Sequence, residues 1–310
     1  MYVMISLSFM GILLLLGGIF FMRLGLQKLL LTKLKDALAH LTKKPWRGVL
    51  LGTVAAAMMQ SSTAISLLTI GLVSADYLSF YEALGIILGA NIGTCSTVQL
   101  MTLSIPRDLF FPLLAITIGM TVTIKKLRWI GMAMSGLLSL FLGITILSDA
   151  LSNLSEIVNL TDYLIAAKEN SLYGIMAGMI ITLLFQSSSA ATGVLMILAS
   201  DGTIDLVTAS YVVYGNNIGS CLSSIIVGAA GTLAAKRIAL SHVLLNIVGV
   251  AVFLPLTGIL TTIATYITAD FAGQVAIIHT LFNIISSLAI LPIIRQYANL
   301  IIFLVPGQRR

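Results

Sequence analysis

The feature that most constrains this chain is an internal repeat of polar motifs inside a very apolar sequence. Residues 60–64 read Gln-Ser-Ser-Thr-Ala, and residues 186–190 read Gln-Ser-Ser-Ser-Ala. Residues 89–95 read Gly-Ala-Asn-Ile-Gly-Thr-Cys, and residues 215–221 read Gly-Asn-Asn-Ile-Gly-Ser-Cys. Both pairs are separated by the same number of residues. A duplicated polar, helix-breaking motif in an apolar chain is typical of the binding site of a secondary transporter.

The composition predicts a helical membrane protein. Of the 310 residues, 58% are hydrophobic and 9% are charged, and the mean hydropathy is +1.07. Helices that face lipid carry apolar residues on all sides, whereas a soluble domain does not. At about 20 residues per span there is room for roughly eight to ten membrane segments. We expect residues 5–22 to be the first span, because this stretch is too long for a signal peptide and lacks a small-residue cleavage site.

The charge pattern predicts the topology. The net charge of +6 does not indicate a nucleic-acid partner, because we expect the basic residues to lie in cytoplasmic loops. We expect the acidic stretch 149–169, with Glu156 and Asp162, to lie outside. The basic clusters are residues 23–47 (with Arg23, Lys28, Lys33, Lys35, Lys43, Lys44 and Arg47), 125–128, 236–237, Arg295 and 309–310.

Counting crossings between these clusters predicts two re-entrant segments. Three full crossings over the apolar segments 48–74, 80–104 and 109–124 would leave Lys125 on the wrong face. Lys125 is placed on the cytoplasmic face if segment 48–74 enters and leaves the membrane by the same face. In the second half, the basic pair 236–237 is placed on that face if segment 172–200 is also re-entrant. The two hairpins would then open toward opposite faces, with their tips meeting at mid-membrane. The fold class expected is an all-α polytopic membrane protein with two inverted-topology repeats and re-entrant helical hairpins.

The domain organisation follows from this. We expect one transmembrane transport domain over residues 1–310. Repeat 1 would cover about 48–124 and repeat 2 about 172–254. Residues 1–47 would form the first span and a basic cytoplasmic segment, and residues 255–310 the C-terminal helices.

The motifs suit the binding of an anion and a cation side by side. Hydroxyls, amides and the N–H groups at a helix start suit an oxyanion, and neutral oxygens suit Na⁺. We expect Asn-Ile-Gly at 91–93 and 217–219 to break the helix a second time in each repeat. The acids Asp76, Glu82, Asp201 and Asp205 are expected at connections. Because the motif segments hold no charged residue, the charges would arrive with the cargo, which favours ion-coupled symport.

Other polar and small residues have simpler readings. Serine and threonine also bond back to their own helix in apolar spans, but two aligned pairs of motifs make this reading insufficient. The spacings Gly48/Gly52 and Gly174/Gly178 predict close helix packing. Cys95 and Cys221 could form a disulfide, although two small residues at equivalent repeat positions is the simpler interpretation. Two cysteines do not make a metal framework.

Two Ala-x-x-His-x-x-x-Asn segments place a histidine and an asparagine on one helix face. They are His242 with Asn246 and His279 with Asn283. A satisfied interhelical hydrogen bond is the favoured interpretation. The functional alternative is that His242 and His279 modulate transport with pH, since histidine titrates near neutrality.

Together, the paired Gln-Ser-Ser motifs, each followed by Asn-Ile-Gly, and the His-x-x-x-Asn segments resemble the sodium–phosphate cotransporter family, meaning the type II cotransporters and their bacterial relatives. The resemblance covers residues 48–105 and 172–290. It implies Na⁺-dependent transport of inorganic phosphate without covalent chemistry. Thr63 stands where the family often has serine, which keeps the hydroxyl. The sequence ends at Arg310, without the soluble helical domain of many bacterial members, so regulation through that domain is not implied.

The resemblance also implies site residues, at the matching positions of this sequence. Phosphate ligands are expected at Ser61, Ser62, Ser187, Ser188, Asn91 and Asn217. Sodium ligands are expected at Gln60, Thr63, Gln186, Ser189, Thr94, Asn216 and Ser220.

The function predicted is sodium-coupled symport of phosphate across the cytoplasmic (inner) membrane by alternating access, in a multi-pass protein. The partners expected are phosphate, Na⁺ and the lipid bilayer, with no cofactor, no transition metal and no nucleic acid; a homodimer stays open. One alternative is a transporter or exporter of another small oxyanion. An intramembrane serine hydrolase is disfavoured, because no nucleophile elbow such as Gly-x-Ser-x-Gly is found and the only candidate bases, His242 and His279, lie in the helical His/Asn pattern.

Overall fold

The chain folds into helices throughout the part that the structure describes. The computed structural model describes residues 2–42, 44–103, 105–154 and 170–307, and within them no strand occurs. The helices of the first half are α1 (Tyr2–Leu41), α2 (Pro45–Met59), α3 (Ser62–Ser74), α4 (Phe80–Leu100), α5 (Phe110–Thr123), after a 3₁₀ turn at Arg107–Leu109, and α6 (Arg128–Leu154). Those of the second half are α7 (Ser171–Phe185), α8 (Ser188–Ser200), α9 (Leu206–Ser220), α10 (Leu222–Ala230), α11 (Leu233–Phe253), α12 (Thr257–Ile267), α13 (Phe271–Ile290) and, after a 3₁₀ turn at Leu291–Ile293, α14 (Ile294–Leu304).

Several helical stretches are long and apolar enough to cross a membrane. Among the described residues there are six: Val3–His40, Phe80–Leu100, Arg128–Ala150, Leu206–Ala230, Leu233–Phe253 and Phe271–Leu304. Large apolar side chains such as Phe9, Phe111 and Phe303 are exposed, as lipid-facing side chains would be. The estimate of eight to ten segments came from chain length alone; besides these six helices, the described residues hold shorter apolar helices, such as α3, that are below the length of a full span.

The chain divides into two compact units, each holding one Gln-Ser-Ser motif. We name them by the motif glutamine. The Gln60 unit comprises Leu31–Thr97, Asn217–Leu256 and His279–Arg310. The Gln186 unit comprises Met1–Leu30, Val98–Asn216 and Thr257–Ile278.

In the Gln60 unit, α2 lies against α4 with no side chain between their backbones at the glycines. A Cβ added to Gly52 would overlap the backbone of Ile86, and one added to Gly89 would overlap the carbonyl of Val49. The prediction of close packing at Gly48 and Gly52 is therefore confirmed. An apolar core beside this contact is formed by Val49, Leu84, Leu88, Leu245, Ile290, Ile294, Tyr297, Ala298 and Ile301.

The Gln186 unit repeats this packing between α7 and α9. A Cβ on Gly178 would overlap the carbonyl of Val212, and one on Gly215 would overlap that of Ile175. Gly174 faces the Cβ of Tyr211, so both predicted glycines of this pair also lie at a close helix contact. In the same unit α5 packs along α6, and α6 packs on α8.

The expectation that the basic residues lie in loops is wrong for the N-terminal cluster. The predicted first span continues without a break to Leu41, so Arg23, Lys28, Lys33 and Lys35 are helical. Between Met22 and Leu41 the sequence has no proline and one glycine, Gly25. A Cβ added to Gly25 would overlap the backbone of α6 at Trp129. Gly25 is thus used for packing, not for a turn.

The expectation that Asn-Ile-Gly breaks the helix in each repeat is also wrong. Helix α4 runs unbroken through residues 91–93, and α9 runs through 217–219 and ends only at Ser220. In the first copy, a Cβ on Gly93 would overlap the carbonyl of Thr53 on α2. The glycine therefore permits close packing of two helices, a use that the sequence pattern alone does not distinguish from a break.

The predicted acidic loop lies largely outside the described residues, which leave out 155–169 and therefore Glu156 and Asp162. Asp149 lies on α6 and pairs with Arg107 at 2.8 Å. Glu82 belongs to the first turn of α4, not to a connection, and accepts from the Ser79 backbone N–H at 2.8 Å while Ser79 Oγ accepts from the Glu82 N–H at 3.2 Å. This is a reciprocal cap that starts α4.

Candidate functional site

The two Gln-Ser-Ser motifs adopt the same backbone conformation. Gln60 (φ 51°, ψ 31°) and Gln186 (φ 52°, ψ 25°) are both left-handed and end α2 and α7. Ser61 (φ −157°, ψ 103°) and Ser187 (φ −157°, ψ 109°) are both extended and precede α3 and α8. Each motif is thus a two-residue break between two short helices.

The glutamine side chain explains how a residue with a Cβ adopts the left-handed conformation. Gln60 Nε2 donates to the carbonyl of Ala57 at 2.6 Å, and Gln186 Nε2 donates to that of Leu183 at 2.9 Å. Each amide therefore satisfies one of the last carbonyls of the helix that it ends. This bond offsets a backbone cost of about 1–2 kcal/mol for a non-glycine residue in this region.

The first serine of each motif starts the next helix. Ser61 Oγ accepts from the Ala64 N–H at 3.2 Å, and Ser187 Oγ accepts from the Ala190 N–H at 3.3 Å. The remaining N–H groups of a first turn have no partner inside their helix and carry the positive end of its dipole. Each motif therefore presents hydroxyls together with a helix N-terminus, which is suited to an oxyanion.

In the Gln60 unit, the first motif is buried. Gln60, Ser61 and Ser62 are each less than a tenth exposed, and Thr63 is half-buried. Gln60 Nε2 makes a second bond, to Ser96 Oγ on α4 at 3.1 Å. Ser96 is a contact that sequence analysis missed, although it lies two residues after the predicted ligand Thr94.

In the Gln186 unit, Asn216 holds the arms of the second motif together. Thr182 Oγ1 on α7 donates to Asn216 Oδ1 at 3.1 Å, and Asn216 Nδ2 donates to Thr192 Oγ1 on α8 at 3.1 Å. Ser187 and Ser189 are buried, Ser188 is half-buried, and Gln186 is exposed. The predicted ligand Asn216 thus has both ends of its amide bound to the helix pair.

A cationic side chain also contacts the second motif. Half-buried Arg23 on α1 places Nη2 3.4 Å from Ser189 Oγ. Sequence analysis missed Arg23 as a site residue because it assigned this arginine to a basic loop. The signal that could have identified it is its position directly after the apolar run 5–22.

The remaining predicted ligands lie on α4 and α9 and bond within their own unit. Thr94 Oγ1 donates to the Ala90 carbonyl at 3.0 Å, and Ser220 Oγ donates to that of Asn217 at 2.7 Å. Asn91 Nδ2 donates to Asn246 Oδ1 at 3.5 Å, so its side chain is directed at α11. Asn217 is buried.

His242 belongs to a buried network that confirms the structural interpretation of its segment. Its Nε2 lies 3.3 Å from Asn91 Oδ1, and its Nδ1 lies 3.2 Å from Ser224 Oγ. Asn246 Nδ2 donates to the His242 carbonyl at 3.0 Å. The network joins α4, α10 and α11 within the Gln60 unit. Modulation by pH through His242 or His279 stays a prediction.

The two cysteines are free and buried. Cys95 Sγ lies 3.9 Å from the His279 carbonyl, and Cys221 Sγ lies 3.6 Å from the His242 carbonyl. The simpler interpretation, small residues at equivalent packing positions, agrees with this.

Comparisons with known proteins agree with the repeat. The model of the Na⁺/Pi-cotransporter family matches the chain twice, over residues 14–149 and 143–282. Each match contains one Gln-Ser-Ser motif. No solved structure matches the chain.

Two curated proteins are similar to this chain in sequence. The uncharacterised protein YqeW of Bacillus subtilis (strain 168) is 30% identical over 306 residues, which is 98% of this chain and 100% of that protein. YjbB of Escherichia coli (strain K12), provisionally named an inorganic phosphate export protein, is 25% identical over 290 residues, which is 92% of this chain. The chain spans only 53% of the length of YjbB.

Proposed function

The chain belongs to the Na⁺/Pi-cotransporter family, and from this premise we propose that it carries inorganic phosphate across the cytoplasmic membrane coupled to Na⁺. It is a multi-pass membrane protein, as the six long apolar helices among its described residues and its family indicate. The observation that carries the proposal is the duplicated helix break, at which serine hydroxyls and a helix N-terminus occur together twice. A transport function without covalent chemistry needs such ligands and no nucleophile.

The charge near the second motif favours the anion there. The guanidinium of Arg23 can form a bidentate hydrogen bond to phosphate, which neutralises its charge and orients it. The same cation would repel Na⁺ at Ser189, the residue that it contacts. We therefore assign Ser187, Ser188 and Ser189 to phosphate. Na⁺ is assigned to the neutral oxygens of Gln60 and Thr63, because neutral oxygens suit a monovalent cation.

We further propose that the pairs α2–α3 and α7–α8 are re-entrant and inverted. Helices of 15 and 13 residues are about 20–22 Å long, shorter than the hydrocarbon core of about 30 Å. Each pair also turns at a polar motif that lipid would not tolerate. Single cysteines at Trp46 and Asp76 should then react from the same face of the membrane, and reaction from opposite faces would contradict re-entrance.

The direction of transport is a separate question. The name of YjbB favours export, whereas uptake is the simpler use of an inward Na⁺ gradient. The decisive assay follows labelled phosphate in proteoliposomes under a Na⁺ gradient of either sign, with K⁺ as the control cation and sulfate as competitor. Movement that needs Na⁺ and ignores sulfate supports the proposal. Movement of sulfate instead would favour another oxyanion.

The serine ligands are tested in the same assay. Ser187→Ala removes a predicted phosphate ligand and is expected to raise the KM for phosphate or abolish transport. Ser200→Ala, at the other end of α8, is the matched control and should behave as the wild type. Normal transport by Ser187→Ala and Ser61→Ala together would count against the site.

A further inference from the structure

Most hydroxyls on the helices of this protein bond to their own helix. Thr69 donates to the Ile65 carbonyl at 2.7 Å, Ser210 to that of Leu206 at 2.7 Å, and Ser241 to that of Ile238 at 2.7 Å. This is the usual arrangement in apolar helices, because it leaves no polar atom without a partner. A buried hydroxyl that departs from it is available to another partner.

Two adjacent serines on α13 depart from this arrangement. Ser286 and Ser287 are 8% and 0% exposed, yet neither Oγ has a hydrogen-bond partner within the described part of the chain. A buried polar atom without a partner is rare and costly in folded proteins. Both oxygens are therefore available to a ligand, on a helix without a charged residue.

A third oxygen lies one turn earlier. The amide of fully buried Asn283 is oriented by Nδ2, which donates to the His279 carbonyl at 2.8 Å. This bond fixes which end of the amide is the oxygen, since a flipped amide would set two acceptors against each other. Asn283 Oδ1 is left without a partner among the described residues. Because Asn283, Ser286 and Ser287 are spaced i, i+3 and i+4, their side chains share one face of α13.

The neighbouring helix approaches this face closely. A Cβ added to Gly249 on α11 would lie 2.8 Å from Ser286 Oγ, so this oxygen lies close to the glycine of the neighbouring helix. Both helix segments belong to the Gln60 unit. The ring of Phe282 faces the same glycine and would lie 3.1 Å from the same Cβ.

We propose that Asn283 Oδ1, Ser286 Oγ and Ser287 Oγ form a binding site for Na⁺. Three neutral oxygens on one buried face suit a monovalent cation, whereas Ca²⁺ and Mg²⁺ sites are built with carboxylates. The inference deepens the proposed sodium coupling and rests on it. It adds ligands that lie outside both Gln-Ser-Ser motifs.

The site is tested by the thermal stability of the purified protein without phosphate. Na⁺ replaces K⁺ or N-methylglucamine at constant ionic strength, and the shift in Tm is measured for each variant. The wild type and Ser241→Ala, which loses a buried hydroxyl bonded to its own helix, are expected to gain the same Na⁺-specific shift. Ser286→Ala/Ser287→Ala is expected to lose most of it, and Ser287→Thr, which keeps the oxygen, to retain it.

Two results would overturn the site. One is an unchanged Na⁺-specific shift in the double variant, which would mean that ordered water satisfies these oxygens. The other is the absence of any Na⁺-specific shift in the wild type. If the double variant does not fold, the Na⁺-specific shift in Tm is compared between Ser287→Ala and Ser287→Thr instead.

Transport separates the failure of this site from the failure of sodium coupling. Ser287→Ala is expected to raise the Na⁺ concentration for half-maximal phosphate transport at least tenfold, with the KM for phosphate at saturating Na⁺ unchanged. Wild-type transport that needs Na⁺, combined with an unaltered Na⁺ dependence in Ser287→Ala, would remove only the α13 site. Wild-type transport that ignores Na⁺ would remove both proposals.

Discussion

The two Gln-Ser-Ser motifs have the same backbone and different surroundings. Gln60 is buried and bonds to Ser96, whereas Gln186 is exposed and the second motif is contacted by Arg23. The backbone repeats because the motif residues themselves end one helix and start the next. The surroundings differ because they are supplied by residues outside the motif. The comparison teaches that a duplicated motif can keep its local structure while its two copies acquire different neighbouring side chains.

The shared part of the comparison should be the most sensitive to substitution. Gly89→Ala and Gly215→Ala would each press a methyl group into a backbone carbonyl of the neighbouring helix, Val49 or Ile175. We expect both to lower the free energy of unfolding by about 3 kcal/mol or more, at the high end for overpacking. Thermal unfolding in detergent measures this. Gly71→Ala, which meets nothing within 4 Å, is the control and should be neutral or stabilising. If either glycine variant unfolded at the wild-type temperature, the helix contacts at Gly89 and Gly215 would not be equivalent.

The difference in charge should appear in phosphate affinity. Arg23→Gln removes the cation at Ser189 and keeps a polar side chain. A hydrogen bond to a charged group contributes about 1.5–3 kcal/mol, so the KM for phosphate should rise about ten- to a hundredfold. Lys28→Gln, on the exposed face of the same helix near Trp129, should leave the KM unchanged. Equal effects of the two variants would mean that Arg23 acts only through the overall charge.

The two glutamines should respond differently to glycine, which tolerates the left-handed conformation. Gln60→Gly loses the bond to Ser96 and leaves a space in a buried site, so we expect a loss of about 1–2 kcal/mol in stability. Gln186→Gly loses only an exposed cap and gains a relaxed backbone, so its stability should stay close to that of the wild type. Chemical denaturation of both variants gives the comparison. Equal losses would show that the capping bond to the preceding helix dominates at both positions.

The smallest effect is expected at Ser96. Ser96→Ala removes the bond from Gln60 Nε2 to Ser96 Oγ and should cost about 1 kcal/mol in stability, with Na⁺ dependence altered more than phosphate affinity. The second copy has Leu222 at the equivalent position, so the variant makes the first motif more like the second. Thr102→Ala, which removes a half-buried hydroxyl bonded to the Gln99 carbonyl near the end of α4, is the control. A change in phosphate KM larger than that in Na⁺ dependence would reverse the assignment of ions to motifs.

The sequence predicted the helix pairs well because their signals are local. Gln-Ser-Ser contains both the residue that ends one helix and the residue that starts the next, so the breaks at Gln60 and Gln186 fall where expected. The close contacts at Gly52 and Gly178 were also readable, because small residues four apart have one main use in apolar helices.

The errors arose where one residue type has two uses. Gly93 could break a helix or let two helices touch, and only the neighbouring Thr53 carbonyl decides between them. Arg23 could end a span or remain inside a helix, and the decision depends on the packing of α1 against α6. Ser96 and the paired serines Ser286 and Ser287 carry no pattern of their own. They are distinguished by the hydrogen bonds that they make or lack, which depend on the packing of distant parts of the sequence.

The burial of the two native thiols has a practical use in labelling chemistry. Cys95 is 5% exposed and Cys221 is fully buried, and both are bonded to backbone carbonyls. A membrane-impermeant maleimide should therefore leave the wild-type chain almost unlabelled. Single cysteines can then be introduced at positions such as Trp46 and Asp76 without first removing the native ones. Labelling of an introduced cysteine can then be assigned to that position, and it shows from which face of the membrane the reagent has access to each helix pair.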